Sequence, residues 1–115
     1  MLLSMFYSDA KANNAKLQGT VILRISNLDY CHAYGVTTIL TDTTRLIEID
    51  STFFYDFEGK EPLKRIMYHE LGHALLGLDE GPGIMNDRKT FKKISDKEIR
   101  RLFIVVGNSC DFSCI

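Results

Sequence analysis

Residues 62–78 read Pro-Leu-Lys-Arg-Ile-Met-Tyr-His-Glu-Leu-Gly-His-Ala-Leu-Leu-Gly-Leu, and this stretch decides how the chain is organised. Pro62 suits the first position of a helix, where its missing N–H costs nothing. Leu63, Ile66, Met67, Leu71, Ala74, Leu75 and Leu78 then recur at helical spacing and form one apolar stripe. Gly77 is the expected stop, because glycine takes the left-handed conformation that ends many helices. On this helix His69 and His73 are four residues apart, so their side chains project from the same face, one turn above each other. Glu70 lies one step along, on the flank of the stripe.

That arrangement spells H-E-x-x-H. Two imidazoles on one helical face can share one tetrahedral ion, and an adjacent carboxylate can reach a water on it. His69 and His73 are therefore the expected ligands of a zinc ion, Zn2+, and Glu70 is the expected general base. A catalytic zinc takes three protein ligands and keeps a position for water. The third ligand must lie nearby, and Asp79 and Glu80 are the acids at hand.

The run HELGHALLGLDE (69–80), followed by GIMN (83–86), resembles the metzincin metallopeptidases. Their signature is H-E-x-x-H-x-x-G-x-x-H/D followed by a methionine turn. The likeness is densest over residues 63–86. It extends into ISDKEIRRLF (94–103), similar to the helix after that turn in matrixin-like members. The Tyr-Cys loop after the first strand and the LIEID segment resemble small bacterial predicted zinc proteases with a HELGH core. About half of the chain is covered. The resemblance implies a third ligand just after the helix-ending glycine, and Met85 as an apolar floor that does not bond the metal. Here Gly77 comes one residue later than the family spacing. Counting from His69 gives Asp79, whereas counting from the glycine gives Glu80. Glu80 is preferred, with Asp79 as the alternative, because one extra helical residue turns the chain's exit by about 100°.

Around this core the sequence predicts an α+β domain spanning residues 1–115: a small mixed β-sheet, the metal-bearing helix and a C-terminal helix, a minimal metzincin-like fold. A first helix is expected over residues 2–17, closed near Gly19. Strands are expected at Thr20–Ile25, at Val36–Leu40, and from Arg45 through Asp50 towards Phe54. The segment Thr41–Thr44 reads as a turn, because short polar side chains satisfy local backbone groups. Ser95 with Glu98 three residues later is a capping box. Ile99, Leu102, Phe103 and Val106 then carry the last helix, which Gly107 closes.

Composition adds exclusions. At 115 residues there is room for one modest core, and the net charge of −1 offers no general attraction to nucleic acid or to anionic membrane. The basic cluster Arg88, Lys89, Lys92, Lys93, Lys97, Arg100 and Arg101 reads as a solvated helix face. There is no apolar run of about 18 residues, and Met1–Tyr7 lacks the features of a secretory leader, so a cytoplasmic protein without membrane attachment is expected. Cys31, Cys110 and Cys114 are too few and too scattered for a disulfide framework and read as free thiols. His32 reads as a loop residue rather than a ligand, and Tyr68 is expected to point away from the motif's face.

The expected activity is zinc-dependent endopeptidase hydrolysis of a protein or peptide substrate, through a zinc-bound water activated by Glu70. The segment LIEIDSTFF would offer an edge for an extended substrate. Two other classes stay open. The first is an endoribonuclease-like zinc hydrolase, against which stand Glu70, the missing third histidine and the net charge. The second is a non-catalytic zinc-binding module. A further variant draws its third ligand from Asp96 or Glu98 on the last helix.

Overall fold

A computed structural model describes residues 2–81, 83–86 and 93–104, with the side chains of Cys31 and Ile104 outside that description. Arg88, Lys89 and Lys92, the helix positions Val106 and Gly107, and Cys110 and Cys114 lie outside the described residues. Among the described residues the order is α1 (Leu2–Ala12), β1 (Thr20–Ser26), β2 (Gly35–Ile39), β3 (Thr44–Asp50), α2 (Ser51–Phe57), α3 (Glu61–Leu76) and α4 (Asp96–Ile104). This is a small α+β fold with a three-stranded mixed sheet. No described helix is long and apolar enough to cross a membrane.

The β2–β3 hairpin is antiparallel and closes through the expected turn, where Thr41 Oγ1 accepts the Thr44 amide at 3.0 Å. β1 runs parallel to β3 on its other side, which gives the order β1-β3-β2. β3 is therefore the central strand and has no free edge for a substrate. Alternation along paired strands then fixes which residues share a face. Gly35 pairs with Ile49, which pairs with Ile25; Thr37 pairs with Ile47, which pairs with Leu23. Ile47 and Ile49 are buried in the core with α3, so Gly35 and Thr37 stand on the core side of an edge strand.

Two expected boundaries differ. The first helix stops at Ala12, not near residue 17, because Asn14 turns left-handed (φ 54°) and the Ala15 amide returns to the Ala10 carbonyl at 2.9 Å. Asparagine here does what glycine does at most such helix ends. The third strand does not run on towards Phe54. It ends at Asp50, whose carboxylate caps α2 by accepting the Phe53 amide at 3.2 Å and also accepts the Leu28 amide at 3.0 Å. The apparent strand alternation in IDSTFF is overridden by this N-cap, which satisfies amides a strand would have paired elsewhere.

α3 is buried along almost its whole length and carries the core. Leu71 and Leu75 are fully enclosed, each worth about 1.5–3 kcal/mol of burial. Phe6 and Ala10, four apart on α1, pack on it. The Phe6 ring meets Tyr68 edge-on at 5.2 Å and Phe103 at 5.1 Å, so one side chain joins α1, α3 and α4. Tyr68 turns to the α1 side, where its hydroxyl donates to the Asp9 carboxylate, and burial with that partner holds its proton on. α4 starts with the expected capping box: Ser95 Oγ accepts the Glu98 amide at 3.1 Å, and Glu98 Oε1 accepts the Ser95 amide at 3.2 Å. Arg65, buried on α3, donates to both Glu98 oxygens at 2.9 Å and clamps α4 to α3.

Candidate metal centre

His69 and His73 lie on the buried flank of α3, and their rings meet at 79° with centroids 4.7 Å apart. Gly77 ends the helix in the left-handed conformation (φ 66°), and its amide returns to the Gly72 carbonyl. The Leu78 amide reaches the same carbonyl at 3.1 Å. This wide turn brings the Leu78 carbonyl back over the helix, where it accepts from His73 Nδ1 at 2.7 Å. Past it the chain swings Glu80 inward. Glu80 Oε1 is 2.9 Å from His73 Nε2 and 3.4 Å from His69 Nε2, and the two Nε2 atoms are 3.0 Å apart. Asp79 is exposed and is not part of this group.

A single 3-10 turn at Gly83–Met85 follows. Its Ile84 carbonyl accepts from His69 Nδ1 at 2.7 Å. Both imidazoles thus commit their Nδ1–H to backbone carbonyls, which leaves both Nε2 lone pairs pointing at Glu80. Burial is the main cause that lowers the His69 pKa, favouring the neutral ring such a donor needs; the Ile84 carbonyl opposes it. Met85 is buried and packs under α3. A Cβ on Gly72 would sit 2.5 Å from its Sδ, so the glycine of HELGH is what lets the Met85 side chain lie against the helix.

These three atoms suit a metal. Tetrahedral zinc with bonds of ~2.0–2.1 Å separates its donors by about 3.3 Å. The separations found are 3.0, 2.9 and 3.4 Å. No hydrogen lies between the two Nε2 lone pairs when both rings are neutral, so a cation placed among the three donors would relieve their mutual repulsion. The carbonyl bonds on each Nδ1 are the outer support that metal-binding histidines use to fix tautomer and ring orientation. Among the described residues no other group of three such side chains converges. His32 is exposed at the end of a 3-10 turn and stands outside it. Glu98 is engaged by Arg65, and neither it nor Asp96, the α4 candidates, is part of the group.

Glu70 is fully buried, next to His69 in sequence but not part of the converging group. Its Oε1 accepts from Thr37 Oγ1 at 2.5 Å, and Oε2 has no hydrogen-bond partner among the described residues. Gly35 makes room for it, since a Cβ there would lie 3.0 Å from Glu70 Cγ. Burial pushes the Glu70 carboxyl up to about 8; the Thr37 bond opposes this, and the Glu80 charge adds to it. A divalent cation between the ligands would oppose both raising causes.

Sequence reasoning missed Thr37, Gly35 and the two carbonyls. Thr37 and Gly35 are two apart in a predicted strand, so they share a face, but nothing local says that Glu70 lies beneath it. No family model matches this chain, and no curated protein or solved structure shows significant similarity to it.

Proposed function

We propose that this chain is a zinc-dependent metallopeptidase of minimal metzincin-like design, in which His69, His73 and Glu80 hold the ion and Glu70 is the general base. The observation that carries this reading is the convergence of three lone-pair donors within 3.4 Å, beside a buried carboxylate with one oxygen unengaged. Bound there, zinc would supply Lewis acidity to a peptide carbonyl and to water. Glu70 Oε2 would take the proton of the attacking water and return it to the leaving amine, a base that then acts as an acid. Glu70 is fully buried, which would keep bulk water away from that proton.

Three ligands from the described residues leave a coordination position for water, which favours a catalytic ion over a structural one. An extended substrate would pair with β2, the edge strand beside Glu70, rather than with the LIEID strand at the sheet centre. In the test, zinc-loaded wild type and Glu70→Gln are compared on casein and on labelled RNA. Casein cleavage that Glu70→Gln abolishes while keeping its zinc supports the proposal. RNA cleavage alone would favour the ribonuclease class, and inactivity of a zinc-loaded wild type on both would favour a binding module.

A further inference from the structure

We propose that Thr37 is a positioning residue for Glu70: it holds Oε1 so that Oε2 alone handles the proton. This rests on the metallopeptidase reading for its chemistry, and on separate observations for its geometry. Thr37 is buried on the core side of β2, and its hydroxyl meets Glu70 twice, at Oε1 (2.5 Å) and at the backbone carbonyl (3.3 Å). It offers one proton. An ionised carboxylate is a far better acceptor than an amide carbonyl, so the proton goes to Oε1 when Glu70 is charged. The second oxygen is buried and unengaged.

A free carboxylate can rotate about its terminal torsion, which is broad and roughly two-fold, and so exchange its oxygens. Thr37 and the Gly35 backbone together prevent this. The threonine fixes one oxygen, and the absent side chain at Gly35 leaves the carboxylate close against β2. The consequence is a division of labour. Oε1 faces the sheet and stays hydrogen-bonded. Oε2 accepts a proton from water and gives the same proton to the leaving nitrogen, with no net change in Glu70. Thr37 donates to Oε1 throughout, so it stabilises the ionised base before the transfer and keeps the acid oriented after it.

The test compares Thr37→Val and Thr37→Ser with wild type, all loaded with one zinc per chain. Val keeps the shape without the hydroxyl; Ser keeps the hydroxyl. One readout is kcat and KM on a casein-derived peptide. The second is the affinity of acetohydroxamic acid, a zinc chelator whose hydroxyl proton must be accepted by the neighbouring carboxylate. Thr37→Val should lower kcat by roughly 10- to 100-fold with KM near wild type, within the ~10²–10⁴ range for the whole acid–base contribution. It should weaken hydroxamate binding by about 10-fold, as for one lost hydrogen bond to a charged group. Thr37→Ser should come within about 3-fold of wild type on both, given the spread of such bonds. Should Thr37→Val not fold, Thr37→Ala set against Thr37→Ser gives the same contrast.

Indifference of both readouts to the loss of the hydroxyl overturns the proposal. Equal losses in Val and Ser also overturn it, since they indicate packing alone. If wild type binds zinc and hydroxamate but cleaves no peptide, the peptidase reading falls while the affinity contrast still decides the role of Thr37. Peptide cleavage with an indifferent Thr37→Val sinks the Thr37 role and leaves the peptidase reading intact.

Discussion

Gly72→Ala sets two opposing effects against each other at the centre of the site. In an open helix interior the change would stabilise by about 1 kcal/mol, because alanine fixes its backbone more cheaply than glycine. Here the new methyl would lie 2.5 Å from Met85 Sδ and 3.3 Å from Met85 Cε. Met85 is buried, so a shift of its side chain must be absorbed by the packing around it. Forcing a methyl into such packing costs about 1–3 kcal/mol. The clash should win, giving a net loss of about 1 kcal/mol and a Tm lower by roughly 4–8 °C. Met85→Ala removes the obstacle, so Gly72→Ala in that background should recover its helical gain of about 1 kcal/mol. The coupling between the two sites is then about 2 kcal/mol, large for a pair whose effects would add if they were independent. Urea and thermal unfolding of all four proteins in EDTA measure it without any contribution from metal. A higher Tm for Gly72→Ala alone, or the same effect in both backgrounds, would refute the reasoning that the HELGH glycine makes room for the Met85 side chain.

Three other outcomes are expected. Glu80→Gln should lose zinc at a concentration where Asp79→Asn keeps it, read as metal per chain after dialysis; equal retention would remove Glu80 from the ligand set. In the metal-free protein the folded-state pKa of Glu70 is raised from 4.5 to about 8, so its favourable contribution is complete below pH 4.5 and lost as the pH rises through 8. Apo stability should therefore fall across that window, and Glu70→Gln should flatten the fall in urea titrations at a series of pH values. Glu98→Ala should cost about 2 kcal/mol, because it takes the carboxylate from the buried Arg65 guanidinium and leaves its charge to neutral partners such as the Lys93 carbonyl, and Arg65→Met in the same background should restore part of that. Urea midpoints would show it, and a cost within 0.5 kcal/mol would mean that the pair is solvent-like.

The legible parts of this protein are those whose cause is local. The α3 stripe, the Gly77 stop, the Thr41–Thr44 turn and the Ser95–Glu98 box were all readable, since each depends on residues within one or two turns. α2 was not, because IDSTFF satisfies the strand alternation as well as it satisfies a cap. The decision belongs to Asp50, which also binds the Leu28 amide 22 residues away. Asn14 hid the end of α1 for a related reason: asparagine is only sometimes left-handed. At the site, the His-Glu-His spacing was visible, but the choice between Asp79 and Glu80 depended on how wide the turn after Gly77 is. Thr37 needed the strand register as well, which no window of sequence contains.

The two carbonyls that brace the histidines come from Leu78 and Ile84, and the three converging donors found among the described residues lie between residues 69 and 80. Such a cluster closes only short loops, so the chain loses little entropy in assembling it. Glu70 is different, because its partner on β2 is 33 residues upstream. The proposed ligands and the setting of the proposed base are thus encoded at different sequence ranges. If the proposed site binds zinc, a peptide cut from α3 and its exit turn would carry the three donors without the Thr37 contact to Glu70, and damage to the sheet would disturb Glu70 while leaving the donors together.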